Sequence, residues 1–144
     1  MAAVFALFGA MLSSGDHVVA SRALFGSTHQ LLTRVLSRWK IDHTYVDADA
    51  PIDSWAAAIR PETKLVFIET PSNPGLALID IQALSAVCRQ HDVLLVVDNC
   101  FTTPYLQQPI PLGADLVVHS ATKFIDGQGR TLGGAVLGPK DMIA

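Results

Sequence analysis

The residues best suited to covalent chemistry follow an apolar run in the last third of the chain. Residues 116–119 are Leu-Val-Val-His, and Ser120, Ala121, Thr122 and Lys123 come directly after them. A lysine at the end of a buried strand is partly desolvated, which lowers the proton affinity of its amine and makes it a nucleophile toward a carbonyl carbon. Ser120 and Thr122 would face the same side of an extended segment, so both hydroxyls could bind one anionic group. The pattern predicts a site for a phosphorylated aldehyde, although Lys123 taken alone also fits a surface lysine at a strand end.

A carboxylate ends a neighbouring apolar run. Residues 93–97 are Val-Leu-Leu-Val-Val, which is too short for a helix and predicts a strand buried on both faces, and Asp98 follows. Burying a carboxylate is costly unless it meets a cation, and ligands of open α/β sheets bind at the carboxyl ends of the strands. Pyridoxal phosphate chemistry needs a lysine for the aldehyde and an acid for the pyridinium nitrogen. Lys123 and Asp98 therefore predict this cofactor.

Alternating helices and strands would position these residues. Apolar periodicity predicts helices over 2–13, 26–40, 51–59 and 79–91, and strands over 17–21, 44–46, 64–68, 93–97, 116–119 and 134–137. Strands separated by helices imply βαβ units. We therefore expect an α/β fold with a mostly parallel sheet flanked by helices on both faces.

Several motifs together carry a family resemblance. Residues 69–74 (ETPSNP), 97–99 (VDN) and 120–123 (SATK) occur in one order along the chain. In these motifs and over essentially its whole length, the chain resembles the pyridoxal-phosphate enzymes of cysteine and methionine metabolism, which have fold type I. Residues 24–28 (LFGST) and 126–130 (DGQGR) are most similar to those of O-succinylhomoserine sulfhydrylases. The resemblance implies the large, cofactor-binding domain of such an enzyme, an α/β/α layer structure.

The resemblance also implies roles for individual residues. Lys123 would bond the cofactor aldehyde and carry protons during catalysis. Asp98 would keep the ring nitrogen protonated, and Ser120 and Thr122 would bind the cofactor phosphate. Asn73 would lie near the ring hydroxyl and the substrate carboxylate.

At two further cofactor-binding positions the family pattern is only partly present. Met1 matches the last residue of a Ser-Gly-Met turn whose backbone amides bind the phosphate, and the chain begins at that residue. Phe25 stands where many relatives have a tyrosine stacked on the ring. Phenylalanine can stack in the same way, but it has no hydroxyl for proton transfer.

The activity implied by the resemblance is γ-replacement, in which O-succinylhomoserine and sulfide give homocysteine and succinate in methionine biosynthesis. Its partners would be the amino-acid substrate, sulfide and further copies of the enzyme in a cytoplasmic homotetramer. Cystathionine γ-synthase and methionine γ-lyase activities share every residue considered so far, so they remain alternatives. A non-catalytic cofactor-binding or packing module is an alternative of another class.

The N-terminal segment suggests a longer parent protein. Residues 2–12 are almost entirely apolar, and a helix that is apolar on all sides must be covered on all sides. We therefore expect residues 1–144 to form an incomplete large domain, with an N-terminal arm and a C-terminal domain absent. By itself such a fragment is expected to be inactive.

Composition narrows the function classes. The 144 residues are 50% hydrophobic and carry a formal net charge of −3, so a single folded domain is expected and a nucleic-acid surface is not. The apolar N-terminal segment lacks a basic flank and is too short to cross a bilayer, so no membrane partner is expected. Cys88 and Cys100 are expected to be reduced packing residues.

Other candidate motifs are weaker. Gly127 and Gly129 precede a predicted strand and have the wrong spacing for a dinucleotide fingerprint, so a tight loop is the better interpretation. The histidines show no metal-ligand spacing, and solvated or core histidines are expected at His17, His29, His43, His91 and His119. Strand alternation would turn His119 away from Ser120. No metal site is predicted.

Overall fold

A six-stranded sheet forms the centre of the fold in residues 1–143, which are the residues that the computed structural model describes. Its strands are β1 (His17–Ser21), β2 (Asp42–Val46), β3 (Thr63–Glu69), β4 (Leu94–Asp98), β5 (Leu116–Ser120) and β6 (Gly134–Leu137). They lie in the order β2-β1-β3-β4-β5-β6. Strands β1 to β5 are parallel, and β6 pairs antiparallel with β5. The predicted α/β fold with a mostly parallel sheet is confirmed.

Helices cover both faces of this sheet. They are α1 (Ala2–Met11), α2 (Gly26–Gln30), α3 (Ile52–Ala58), α4 (Ile81–Gln90), α5 (Thr103–Leu106) and α6 (Lys140–Ile143). Asp80 caps α4, because its side chain accepts a hydrogen bond from the Ala83 amide at 3.0 Å. The short helices α5 and α6 carry no clear apolar period and were not predicted.

The prediction of one continuous α-helix over 26–40 is wrong, because only the first part of this segment is a regular α-helix. After α2 the backbone continues through a wider turn, Leu31–Val35, and a tighter turn, Leu36–Trp39. The hydroxyls of Thr33 and Ser37 donate to the carbonyls of the residues four positions earlier, at 2.9 and 2.8 Å. Such side-chain bonds compete with the regular backbone pattern and bend helices.

Two apolar clusters sandwich the sheet because alternate strand residues face opposite sides. In β3, Leu65 and Phe67 face α1, where the Phe8 ring lies 5.1 Å from the Phe67 ring, centroid to centroid. Val66 and Ile68 face the other side, where Trp55 of α3 is buried with residues of α4. Burial on both faces is typical of parallel sheets and explains the unbroken apolar runs in the sequence.

Polar residues gather at one edge of the sheet, where the parallel strands end. Glu69 ends β3 and lies directly beside Asp98, the last residue of β4. Ser120 ends β5. The edge is therefore the place where this architecture can bind a ligand. Among the described helices none has the length and apolar character needed to span a bilayer.

Candidate active site

A cavity of about 490 Å³ opens at this edge of the sheet. Its walls combine apolar side chains with a few polar ones, as small-molecule sites usually do. The structure brings together in this one cavity all seven residues named as site residues from the sequence: Met1, Phe25, Asn73, Asp98, Ser120, Thr122 and Lys123. They come from five separate segments of the chain, so the fold assembles the site.

Asp98 is the buried acid of the cavity, with only 7% of its surface exposed. Its Oδ1 accepts a hydrogen bond from the Cys100 amide at 3.1 Å. Burial raises the pKa of this carboxyl above its usual value, although a hydrogen bond from the Cys100 thiol acts in the opposite direction. Within residues 1–143 no lysine, arginine or histidine forms an ion pair with it. Asp98 therefore lines the cavity as a buried acid whose ionised form would be stabilised by a bound cation.

Lys123 lies near the mouth of the cavity. It belongs to a short helical turn, Ala121–Ile125, in which its own backbone is not helical, with φ −89° and ψ −118°. Its side chain is exposed. The expectation of a partly desolvated amine at a strand end is therefore wrong, because β5 stops at Ser120 and the turn carries Lys123 out toward solvent.

Ser120 and Thr122 line the cavity without lying on one extended segment, so that part of the prediction is also wrong. Ser120 ends β5, and its amide donates to Cys100 Sγ at 2.9 Å. Thr122 lies in the turn, where its hydroxyl donates to the Gly133 carbonyl at 3.3 Å and accepts from the Gly133 amide at 3.0 Å. The turn thereby brings both hydroxyls to the same cavity.

Phe25, Asn73 and Met1 complete the wall. Phe25 directly precedes α2, and its residue surface is 43% exposed. Asn73 lies in the loop that follows β3. Met1 precedes α1, and its carbonyl accepts a hydrogen bond from the Phe5 amide at 2.9 Å. An aromatic ring, an amide and a helix start thus surround the acid and the lysine.

Glu69 also lines the cavity, although the sequence interpretation gave it no role. It is 6% exposed, and its Oε2 accepts the Phe25 amide proton at 2.6 Å. Burial, with a smaller contribution from neighbouring Asp98, raises the pKa of this carboxyl to about 7, although hydrogen bonds from the Phe25 and Asn73 amides act in the opposite direction. One signal could have revealed it, because Glu69 ends its strand as Asp98 ends the next one.

His119 is buried and also lines the cavity. Val117 and Val118 of the same strand pack in the clusters on opposite faces of the sheet, so β5 has the alternation that is expected to turn His119 away from Ser120. Burial lowers the pKa of His119, so the neutral imidazole is favoured. Its Nδ1 has no hydrogen-bond partner in the part of the chain that the structure describes.

Comparison with known proteins matches this chain to a family. The model of the Cys/Met metabolism PLP-dependent enzymes matches residues 1–143. An O-succinylhomoserine sulfhydrylase of Pseudomonas aeruginosa is 51% identical over 138 residues, which are 96% of this chain and 34% of that protein. An L-methionine gamma-lyase of Porphyromonas gingivalis is 47% identical over 133 residues, 92% of this chain and 33% of that protein. The chain thus spans about a third of the length of these curated relatives.

Solved structures share the fold. The crystal structure of metB from Corynebacterium glutamicum superposes with a TM-score of 0.95 at 40% identity, covering 99% of this chain and 37% of that one. A Campylobacter jejuni protein, given as an O-acetylhomoserine (thiol)-lyase, superposes with a TM-score of 0.92 at 37% identity, covering 98% of this chain and 34% of that one. The latter contains N′-pyridoxyl-lysine-5′-monophosphate.

Proposed function

Because this chain belongs to the Cys/Met metabolism PLP-dependent enzymes, we propose that it forms the cofactor-binding part of an O-succinylhomoserine sulfhydrylase. The overall reaction converts O-succinylhomoserine and sulfide to homocysteine and succinate. The identity of 51% to the Pseudomonas aeruginosa sulfhydrylase supports this choice of substrate.

The observation that carries the proposal is the buried carboxylate of Asp98, which forms no ion pair within residues 1–143 and lies in a cavity that also holds Lys123. A buried carboxylate without a cation is costly, and a protonated pyridine nitrogen would supply the cation. Ser120 adds a hydroxyl donor for a phosphate, and Thr122 adds a second if its proton turns to the phosphate from the Gly133 carbonyl. Lys123 adds an amine for an aldehyde. The residues present therefore fit pyridoxal phosphate.

Each residue then has a definite binding role. Asp98 would hold the ring nitrogen, Ser120 and Thr122 the phosphate, and Asn73 the ring hydroxyl and the substrate carboxylate. Phe25 would support the ring face, and the amides at the start of α1, next to Met1, would add donors for the phosphate.

When bound, pyridoxal phosphate supplies an aldehyde that captures amines and a conjugated ring that accepts electrons from the substrate carbon. The chain supplies proton transfer and charge. Nζ of Lys123 is the proposed proton carrier, because among the described residues Lys123 is the one lysine or arginine that lines the cavity. Asp98 keeps a proton on the ring nitrogen, and Phe25 has no hydroxyl and takes no part in proton transfer.

The remaining parts of the proposal extend beyond this chain. Residues 1–144 would be an incomplete large domain, and the full reading frame would add an N-terminal arm and a C-terminal domain. We propose a cytoplasmic homotetramer acting in methionine biosynthesis, in keeping with the family resemblance.

Methionine γ-lyase activity is the second candidate, favoured by the 47% identity to the Porphyromonas gingivalis lyase. The two reactions differ in their products. Replacement incorporates sulfide into homocysteine, whereas elimination from methionine releases methanethiol, 2-oxobutanoate and ammonia.

The test uses the product of the full reading frame, loaded with pyridoxal phosphate. O-succinylhomoserine and sulfide should give homocysteine and succinate in equal amounts, and the Lys123→Ala variant should give neither. O-acetylhomoserine and methionine are supplied in parallel. Faster turnover of methionine without homocysteine formation would replace the sulfhydrylase assignment by a lyase.

A further inference from the structure

Glu69 is buried at the end of β3, and its carboxylate lies within reach of backbone amides of two other segments of the site, those of Phe25 and Asn73. Oε2 accepts the backbone amide proton of Phe25 at 2.6 Å. Phe25 lies in the connection between β1 and α2, four residues beyond the end of β1. The bond therefore joins the strand that lies beside β4 to the segment that presents the aromatic ring.

The first residues of this connection also form hydrogen bonds. The Arg22 amide donates to the Val46 carbonyl at 2.8 Å, and the Ala23 amide donates to Ser21 Oγ at 3.1 Å. Neither bond reaches across to β3. The Phe25 carbonyl accepts the Thr28 and His29 amide protons at 2.9 and 3.1 Å, which fixes Phe25 to α2. Within residues 1–143, the carboxylate of Glu69 supplies the hydrogen bond that joins the Phe25 amide to the sheet.

A carboxylate is an expensive choice for this hydrogen bond. Glu69 lies in register beside a second buried carboxylate, Asp98, and within residues 1–143 neither forms an ion pair with a basic side chain. An apolar side chain would avoid the cost of burying charge. A carboxylate at this position is accounted for if its hydrogen bond to the Phe25 amide serves the site, because bonds to ionised acceptors are shorter and stronger than neutral ones.

We propose that Glu69 is a positioning residue that fixes the Phe25 ring at the wall of the cofactor cavity through the Phe25 amide. The inference rests on the proposed cofactor site. It adds to that site a residue that, within residues 1–143, forms no hydrogen bond with Lys123 or with the hydroxyls of Ser120 and Thr122. An aromatic ring contributes to stacking only in a narrow range of offsets, so a fixed backbone saves the entropy of ordering it on binding.

The test compares two substitutions in the product of the full reading frame. Glu69→Gln keeps an oxygen that can accept the Phe25 amide proton, whereas Glu69→Leu keeps the volume and removes the acceptor. The matched control is Glu62→Gln, because Glu62 is an exposed glutamate at the opposite end of β3 that pairs with Arg60 at 3.6 Å. Pyridoxal phosphate affinity and the circular dichroism of the bound cofactor are measured for each protein.

We expect Glu69→Leu to bind pyridoxal phosphate about tenfold more weakly, as one lost hydrogen bond to a charged group would imply. The circular dichroism of the bound cofactor should change in this variant. Glu69→Gln should show a smaller change, because its neutral oxygen still accepts the Phe25 amide proton but more weakly, and Glu62→Gln should resemble the parent. A general loss of folding would not produce this difference among folded, cofactor-loaded samples.

A double-mutant cycle with Phe25→Ala tests the route of the effect. If Glu69 acts through Phe25, adding Glu69→Leu to Phe25→Ala should weaken cofactor binding less than twofold. An equal, tenfold loss in both backgrounds would overturn the inference, as would an unchanged affinity in Glu69→Leu. Failure of the parent protein itself to bind pyridoxal phosphate would instead overturn the proposed function.

Discussion

Glu69 and Asp98 are direct neighbours across β3 and β4, and both carboxylates line the same cavity. Two buried acids side by side disfavour each other's ionisation, and each has its pKa raised chiefly by burial. A cationic ring nitrogen would reverse this unfavourable electrostatics. The pair thus links the electrostatics of this sheet edge to the chemistry of the proposed cofactor.

Replacing Asp98 by Ala should leave a folded protein that retains pyridoxal phosphate poorly. Loss of a charge-assisted hydrogen bond to the ring nitrogen should weaken binding by about 10- to 100-fold. Turnover per bound cofactor should also fall severely, because the ring loses the proton that makes it an electron acceptor. The control is Asp49→Ala, at an exposed aspartate between β2 and α3. Normal turnover per bound cofactor would show that Asp98 is only structural.

The raised pKa of Glu69 should be visible in the pH dependence of the free energy of unfolding. Its pKa is raised from 4.5 to about 7 in the folded protein. Between these values the folded state holds a proton that the unfolded state has released, so the free energy of unfolding falls as pH rises through this window. The difference between the two pKa values sets an upper limit of about 3 kcal/mol.

Glu69→Gln removes that proton equilibrium. Denaturant unfolding of the cofactor-free proteins at pH 5 and pH 8 should show the variant gaining stability relative to the parent at the higher pH. The contributions of all other titrating groups to the pH dependence cancel, because these groups are present in both proteins. A parent–variant difference that is the same at both pH values would contradict the raised pKa.

Substitutions of Ser120 and Thr122 should both affect cofactor binding but should differ in their effect on the free energy of unfolding. Ser120→Ala and Thr122→Val should each weaken pyridoxal phosphate binding, because each removes a hydroxyl from the proposed phosphate site. Thr122→Val should also lower the free energy of unfolding by about 1 kcal/mol, since it removes both hydrogen bonds to Gly133. Binding and denaturation measured on the same samples check both effects. Equal stability of the two variants would mean that the Gly133 contacts contribute nothing.

The 144-residue chain alone is expected to be inactive and to self-associate. Large apolar side chains are exposed on it, including Tyr105 and Leu132 at 90% each and Phe124 at 62%. Exposed apolar surface of this kind favours association. Sedimentation and homocysteine assays on the chain, beside the product of the full reading frame, test this. A monomer turning over at the rate of the full product would refute the expectation.

The sequence predicted well what depends on burial and strand order. The strand at His17–Ser21 and the strand ending in Asp98 follow from apolar runs, because a parallel sheet buries both faces. The grouping of the site residues follows from the rule that parallel strands end at one edge. Glu69 sits in the same kind of position and could have been found by that reasoning.

What failed depends on local backbone geometry. The segment after Ser120 reads as a continuation of the strand, yet it forms a turn held by Thr122 and Gly133, residues eleven positions apart. The exposure of Lys123 follows from that turn. Likewise, the hydroxyl bonds of Thr33 and Ser37 that alter the helix after α2 leave the apolar period unchanged. Periodicity reports which side is buried and does not report how the backbone winds.

The most direct test of the account is the site of cofactor attachment. The product of the full reading frame is loaded with pyridoxal phosphate, reduced with borohydride, digested and mapped by mass spectrometry. The account predicts a pyridoxyl group on the peptide that contains Lys123, and no labelling in Lys123→Ala. An adduct confined to Lys40, Lys64 or Lys140 would contradict it.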